Sequence, residues 1–339
     1  MWFTSDNAAP VPPAVLTALA RANEGFTPGY GADALTLQVQ DRLRHLFEAP
    51  EAVVHLVTTG TAANALALGT LCPPWGAVFC QTEAHVAVDE CGAPEFFTHG
   101  AKLVLVDGPQ GRMSPEALRA AIAASGQSLH NVQRGAVSIT NVTEAGTVHS
   151  AAETAALCAV ARDFDLPVHL DGARFCNAVA ATGATPAALT WRAGVDVLSF
   201  GGTKNGLMGV EAVIFFDPAK AWEFELRRKR GGHLLSKGRY LAAQMLAMLE
   251  DHRWLDWAAH ANGMAARLAH GLAAKGIALR HPVEANILFP IWPGGQSARL
   301  RAAGAAFYDM PAPAGHEGAR LVTSWATTES EVAAFLKLF

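Results

Sequence analysis

The chain has 339 residues, 51% of them hydrophobic and 17% charged, with a net charge of −4 at pH 7. This is the composition of a soluble globular protein with ample core, long enough for about two domains. It gives no reason to expect nucleic acid or an anionic membrane surface as partner, no apolar run approaches the roughly 20 residues of a membrane span, and Met1-Trp2-Phe3-Thr4-Ser5-Asp6 lacks the basic start of a secretory signal.

Val53–Val57 reads as a strand and Thr61–Leu71 as the helix after it. Short apolar strands recur at Ala77–Cys80, Leu103–Val106, Ala136–Ile139, Pro167–Leu170, Val195–Leu198 and Ala212–Phe216. Helical patterns fall between several of them, at Ser114–Ala124 and Ala151–Arg162. Ser114-Pro115-Glu116 carries a cap and a first-turn proline. Such alternation predicts an α/β fold with an open, mostly parallel sheet covered on both faces. Near residue 236 the pattern changes. Long helical runs (238–250 and 256–274) precede strands at Asn286–Phe289 and Arg320–Thr323, a turn at Trp292–Gly295 and a closing helix at Glu329–Leu338. We expect a large domain over 1–235 and a smaller C-terminal α+β domain over 236–339. The five cysteines, Cys72, Cys80, Cys91, Cys158 and Cys176, are odd in number and lack a C-x-x-C pair. They fit buried thiols in a reduced, cytoplasmic protein.

Two motifs carry most of the chemistry: His169-Leu170-Asp171-Gly172-Ala173-Arg174 and Ser199-Phe200-Gly201-Gly202-Thr203-Lys204-Asn205-Gly206. Each follows an apolar strand and so sits at a strand's C-terminal end, where open α/β sheets bind ligands. Asp171 reads either as a helix cap or as a carboxylate that holds the proton of a pyridinium ring. Lys204 is either a solvated loop charge or a shielded amine that forms a Schiff base with pyridoxal phosphate. Gly201, Gly202 and Gly206 let a backbone approach closely, and Thr203 is placed to donate to a phosphate. Arg174 either reaches a cofactor oxygen or pairs with a nearby acid. Gly60 and Thr61 open the helix after the first strand and offer an anion site for the cofactor phosphate; the bland reading is a helix capped by Thr59 or Thr61. His85, soon after a strand, reads either as a structural or surface histidine or as an imidazole that stacks flat on the cofactor ring. The basic run Arg227–Arg230 reads as a helix end or, through Arg230, as a phosphate contact across a subunit interface.

With these residues in view, nearly the whole chain resembles the low-specificity L-threonine aldolases of the β-eliminating-lyase group. These are pyridoxal-phosphate enzymes of the aspartate-aminotransferase-like fold, fold type I. Ser5-Asp6, Tyr30-Gly31, Thr59–Asn64, His85 with Glu90, Leu129-His130-Asn131, Asp171–Arg174, Lys204 and Arg320–Thr323 are similar to motifs of that family. The resemblance implies that His130 faces the substrate's β-hydroxyl. It further implies that Arg320 and Ser5, assisted by Arg174, grip its carboxylate, and that the N-terminal segment 1–12 reaches the site. Two departures, Thr203-Lys204-Asn205-Gly206 and Thr140-Asn141-Val142-Thr143-Glu144-Ala145-Gly146, look like a second bacterial branch that includes phenylserine-type aldolases.

The implied reaction is retro-aldol cleavage of threonine, allo-threonine or related β-hydroxy-α-amino acids to glycine and an aldehyde, in a homodimer or homotetramer with the site at a subunit boundary. We expect no metal. His85, His130 and an ordered water are all open as the base, because reach to the hydroxyl must decide; the preferred assignment is His85 stacking and His130 binding the hydroxyl. A β-eliminating lyase, aminotransferase or racemase would use similar residues. A nicotinamide enzyme is disfavoured because no G-x-G-x-x-G follows the first strand. Intact Asp171, Lys204 and Arg320 argue against a non-catalytic binding protein.

Overall fold

The computed structural model describes residues 1–339. Helices α1 (Pro13–Ala22) and α2 (Ala34–Leu46) lead into a strand–helix alternation. It runs β1 (Val53–Val57), α3 (Gly60–Leu71), β2 (Gly76–Gln81), short α4 (His85–Val88) and α5 (Ala93–Phe97), β3 (Lys102–Val106), α6 (Pro115–Ala124) and β4 (Gln133–Thr140). Then come α7 (Ala151–Arg162), β5 (Val168–Gly172), α8 (Phe175–Thr182), β6 (Val197–Gly201), β7 (Glu211–Phe215), α9 (Ala221–Arg230) and α10 (Arg239–Leu249). The remainder holds α11 (Arg253–Ala273), β8 (Ala278–Leu279), β9 (Ile287–Leu288), β10 (Pro290–Pro293), α12 (Gln296–Ala302), β11 (Tyr308–Met310), β12 (His316–Val322) and α13 (Glu329–Leu336).

Seven strands form one sheet in the order β1-β7-β6-β5-β4-β2-β3. The five strands from β3 to β6 along this order are parallel to their neighbours, and β7 runs antiparallel to both β6 and β1. Every residue of β2, β5, β6 and β7 is buried, as expected of strands covered on both faces, which explains why they read as apolar runs. The parallel register sets the C-terminal ends of β4, β5 and β6 side by side: Thr140 lies beside Asp171, and Asp171 beside Ser199. That edge is where the polar residues collect.

A second sheet has the order β11-β12-β10-β8, with β9 also paired to β12. Its core takes in Phe3, whose N–H donates to the Ala306 carbonyl at 2.8 Å and whose carbonyl accepts from Val322 at 2.9 Å. The N-terminal segment is thus fastened to the C-terminal sheet. Two expectations shift. Trp292 and Pro293 belong to β10, with Trp292 fully buried, and the turn is Gly294–Gly295. The helical run starts near residue 236, but the buried side chains change company later. Met245, Met248, Trp254 and Ala258 pack in the core of the large sheet, whereas Met264, Leu268 and Leu272 of α11 pack with Phe3. Four cysteines are buried free thiols; Cys91 is exposed, in the loop between α4 and α5, where it adopts positive φ.

Candidate active site

The turn from β1 into α3 is capped by Thr59, whose Oγ1 accepts the Ala62 N–H at 3.1 Å. Gly60 has open space where a side chain would stand. One turn into α3, the buried Asn64 uses its amide nitrogen twice. It donates to Asp171 Oδ2 at 2.8 Å and to Glu90 Oε1 at 2.9 Å. Asp171 Oδ1 accepts the Ala173 N–H at 3.0 Å. Asp171 is therefore not the cap of α8, which begins at Phe175 without a side-chain cap. Glu90 also binds His85 Nδ1 at 2.8 Å. This bond raises the histidine above its ordinary value against the pull of burial, and burial raises Glu90 despite the same bond. Both directions say that the pair holds on to its proton.

Lys204 lies in a single 3-10 turn, Thr203–Asn205, directly after β6. Glu211 pins that turn by accepting the Gly202 N–H at 2.6 Å and the Thr203 hydroxyl. Burial pushes Glu211 up to about 7. Lys204 itself is held below its ordinary value, first by burial and then by the neighbouring Arg174. Asp6, Asp171 and Glu211 oppose this only through space, which leaves the amine without a protein partner. Gly201 permits the turn: a Cβ there would stand 2.3 Å from the Ala173 carbonyl oxygen. What the expected close approach admits is thus the Asp171 loop, not a ligand.

Arg174 donates from Nε to Asp6 Oδ2 at 2.6 Å and from Nη2 to Asp6 Oδ1 at 3.0 Å, and Asn286 adds a bond to Asp6 at 3.1 Å. Burial opposes ionisation of Asp6, yet Arg174 and Lys204 hold its carboxyl below the usual value. Arg320, on β12, lies over the Tyr308 ring with 5.3 Å from guanidinium carbon to ring centroid. Its Nη2 reaches Thr4 O at 3.4 Å, and its buried Nε has no partner.

Six predicted residues, Ser5, His85, Asp171, Arg174, Lys204 and Arg320, line one cavity of about 640 Å³. The others stand elsewhere. His130 is exposed in the loop before β4, the N-terminal end of a strand whose C-terminal end meets the cavity. Eight strand residues, roughly 23 Å of rise, separate the two ends, so His130 does not reach the cavity of its own subunit. Arg230 is exposed at the end of α9 and lines a different cavity with Phe96, Phe97 and Arg227. The Thr203 hydroxyl is spent on Glu211 and the Val210 N–H, so it does not face a phosphate. Gly60 and Thr61 stay outside the cavity wall, one turn from Asn64. Sequence reasoning missed Asn64, Asp6 as partner of Arg174, and Glu144. Asn64 had a signal, a polar residue in a helix otherwise built of small and apolar ones.

The family of beta-eliminating lyases matches residues 3–291. The chain belongs to the beta-eliminating lyase family. It is 44% identical over 326 residues to a low specificity L-threonine aldolase of Pseudomonas aeruginosa, covering 96% of this chain and 93% of that one. A threonine aldolase from Leishmania major superposes with a TM-score of 0.95 at 32% identity, covering 99% of this chain and 98% of that one. The fold is also that of a serine palmitoyltransferase solved with pyridoxal phosphate, at a TM-score of 0.71 and 19% identity, covering 100% of this chain and 86% of that one.

Proposed function

We infer that this beta-eliminating lyase family member is a pyridoxal-phosphate-dependent L-threonine aldolase of low specificity. It cleaves L-threonine, L-allo-threonine and related β-hydroxy-α-amino acids to glycine and an aldehyde. The observation that carries the reading is a buried carboxylate, Asp171, in the same cavity as an unpartnered, shielded lysine, Lys204. The names of the 44% identical relative and of the Leishmania structure support the substrate class.

The residues present fit pyridoxal phosphate. Lys204 Nζ is the amine to attach its aldehyde carbon, Asp171 is the acid for the ring nitrogen, and the turn at Gly60 and Thr61 offers N–H groups to the phosphate. When bound, the cofactor supplies a sink for the electron pair left on Cα after Cα–Cβ cleavage. Asp171, fixed by Asn64 and the Ala173 N–H, would hold the ring nitrogen in its protonated form. Glu90 fixes the His85 ring for stacking. Arg320 Nε, buried and unpaired, is the donor for a substrate carboxylate, with Ser5 on the same cavity wall. Arg174 has given two of its three nitrogens to Asp6, so it orients this wall more than it grips substrate.

The chain works as a homodimer or homotetramer in this reading. Exposed Phe96 and Leu226 in the cavity that holds Arg230 support it, and there the phosphate of a neighbouring subunit would fall to Arg230. No helix is long and apolar enough to cross a membrane, and a cytoplasmic setting suits four buried free thiols.

The test is product analysis with threonine. Glycine and acetaldehyde are expected; pyruvate or 2-oxobutyrate with ammonia would reject the aldolase reading. Lys204→Ala should also lose the visible absorption that lysine-bound pyridoxal phosphate gives at neutral pH; a retained band would remove Lys204 from its role.

A further inference from the structure

The loop after β4 contains a carboxyl group that the site described so far does not use. Glu144 follows the C-terminal end of β4, next to Asp171 on β5. Its Oε1 accepts the His85 N–H at 2.7 Å and so anchors the start of α4. Its Oε2 is buried and has no hydrogen-bond partner in the protein, while the residue lines the cavity with His85, Asp171 and Lys204. An unsatisfied buried carboxylate oxygen is costly, and such groups persist where a ligand satisfies them.

The loop is built to hold this group still. Asn141 pairs with the His149 backbone in both directions, at 3.0 and 3.1 Å. Thr143 and Thr147 bond each other at 2.7 Å, and Thr147 also donates to the Gln110 carbonyl at 2.7 Å. Gly146 adopts φ +79°, with Ile287 O where a Cβ would clash at 2.7 Å.

We propose that Glu144 Oε2 is the catalytic group that takes the proton of the substrate's β-hydroxyl. The proposal rests on the aldolase reading above and adds the identity of its base. The other candidates are weaker. His130 is on the far end of β4, and His85 has Nδ1 committed to Glu90 in a pair that retains its proton, which suits a donor. Burial, with the Asp171 charge nearby, lifts the Glu144 carboxyl to about 7 against the opposing His85 N–H and ring, close to the working pH of a general base.

Atoms and electrons balance in this step. The O–H proton passes to Oε2, the O–H electron pair becomes the second bond of the aldehyde, and the Cα–Cβ pair stays on Cα. A proton from solvent delivered to Cα then gives glycine, and Glu144 releases to solvent the proton it took from the hydroxyl, so no proton is gained or lost over the cycle.

Glu144→Gln tests this in the holoenzyme, because the amide oxygen still accepts from His85 while the second atom cannot take a proton. Four readouts are compared with the parent: thermal melting, the dissociation constant of glycine from the shift in cofactor absorption, exchange of glycine α-hydrogen with deuterium oxide, and threonine cleavage. Melting and glycine binding should be unchanged, the latter within about 3-fold. Exchange, which involves no β-hydroxyl, should persist. Cleavage should fall by about 10²–10⁴-fold, and Glu144→Asp should recover part of it. Parallel loss of glycine binding, exchange and cleavage would make Glu144 a positioning residue for His85 and overturn the proposal. Unchanged cleavage would overturn it outright. A parent enzyme that exchanges glycine but does not cleave threonine would instead strike the aldolase reading, and the proposal with it.

Discussion

The substitution Asp6→Asn probes the junction between the N-terminal segment and the site. The Asp6–Arg174 pair is bidentate, at 2.6 and 3.0 Å, and the two side chains are only 1% and 11% exposed. Solvent screening therefore gives little discount. Removing one partner of a buried pair costs about 3–5 kcal/mol, because the other charge is left uncompensated. The amide oxygen introduced by Asp6→Asn still accepts one bond, which places the expected loss near the lower end, about 3 kcal/mol, or roughly two powers of ten in the folding equilibrium. Equilibrium urea unfolding at fixed subunit and cofactor concentration measures it. Combining Asp6→Asn with Arg174→Met should leave a protein more stable than the Asp6→Asn single variant, since no buried charge is stranded. A single-variant loss below about 1 kcal/mol, or a double-variant loss equal to the sum of the singles, would refute this reasoning. The sign with pH is fixed by the lowered Asp6 carboxyl. Its contribution is complete above the ordinary value of 3.8 and is lost as pH falls below that through the native value, so Asp6→Asn should flatten the acid limb of stability.

His130→Ala should leave KM and kcat for threonine and allo-threonine within about 2-fold of the parent, as an exposed residue remote from the cavity requires; a change of about 10-fold in either would return it to the site. Glu90→Gln replaces the carboxylate that raises His85 with a neutral amide, so the His85 ring should titrate at lower pH than in the parent, read by NMR of its Cε1–H signal. An unmoved titration would show that Glu90 does not set the state of that histidine.

The large sheet was readable because its strands are buried on both faces. Val78, Val137, Leu170, Leu198 and Ile214 sit in apolar runs that only such a sheet needs. The small sheet was harder. β8 and β9 are two residues each, and the strand β10 contains two prolines around Ile291-Trp292, which reads as a turn. Asp171 and Lys204 were found from position, since both follow buried strands. The same rule, applied once more, separates His130 from Glu144, a residue the sequence reading passed over. His130 precedes the strand Ala136–Ile139 and Glu144 follows it, and ligands of parallel sheets gather where strands end. Motif likeness pointed to the histidine; strand direction points to the glutamate. The Asp6–Arg174 pair was not legible, because nothing local links residues 168 positions apart.

The fastening of Phe3 to Val322 has a consequence for how the protein is made. The cavity draws on Ser5 and Arg320, so its first and last parts leave the ribosome at opposite ends of synthesis. At about 5–20 residues per second, Arg320 emerges roughly 6–23 s after Lys204. Throughout that interval the lysine has its strand and its turn but not the arginine, and for the first roughly 4–16 s it also lacks Asn286, which braces Asp6. The N-terminal segment must wait, unplaced, for the strand it will join. Capture of the aldehyde cofactor in its final pose is therefore an event of the nearly finished chain, and nascent chains stopped before residue 286 should bind it poorly even though the whole large sheet is already present.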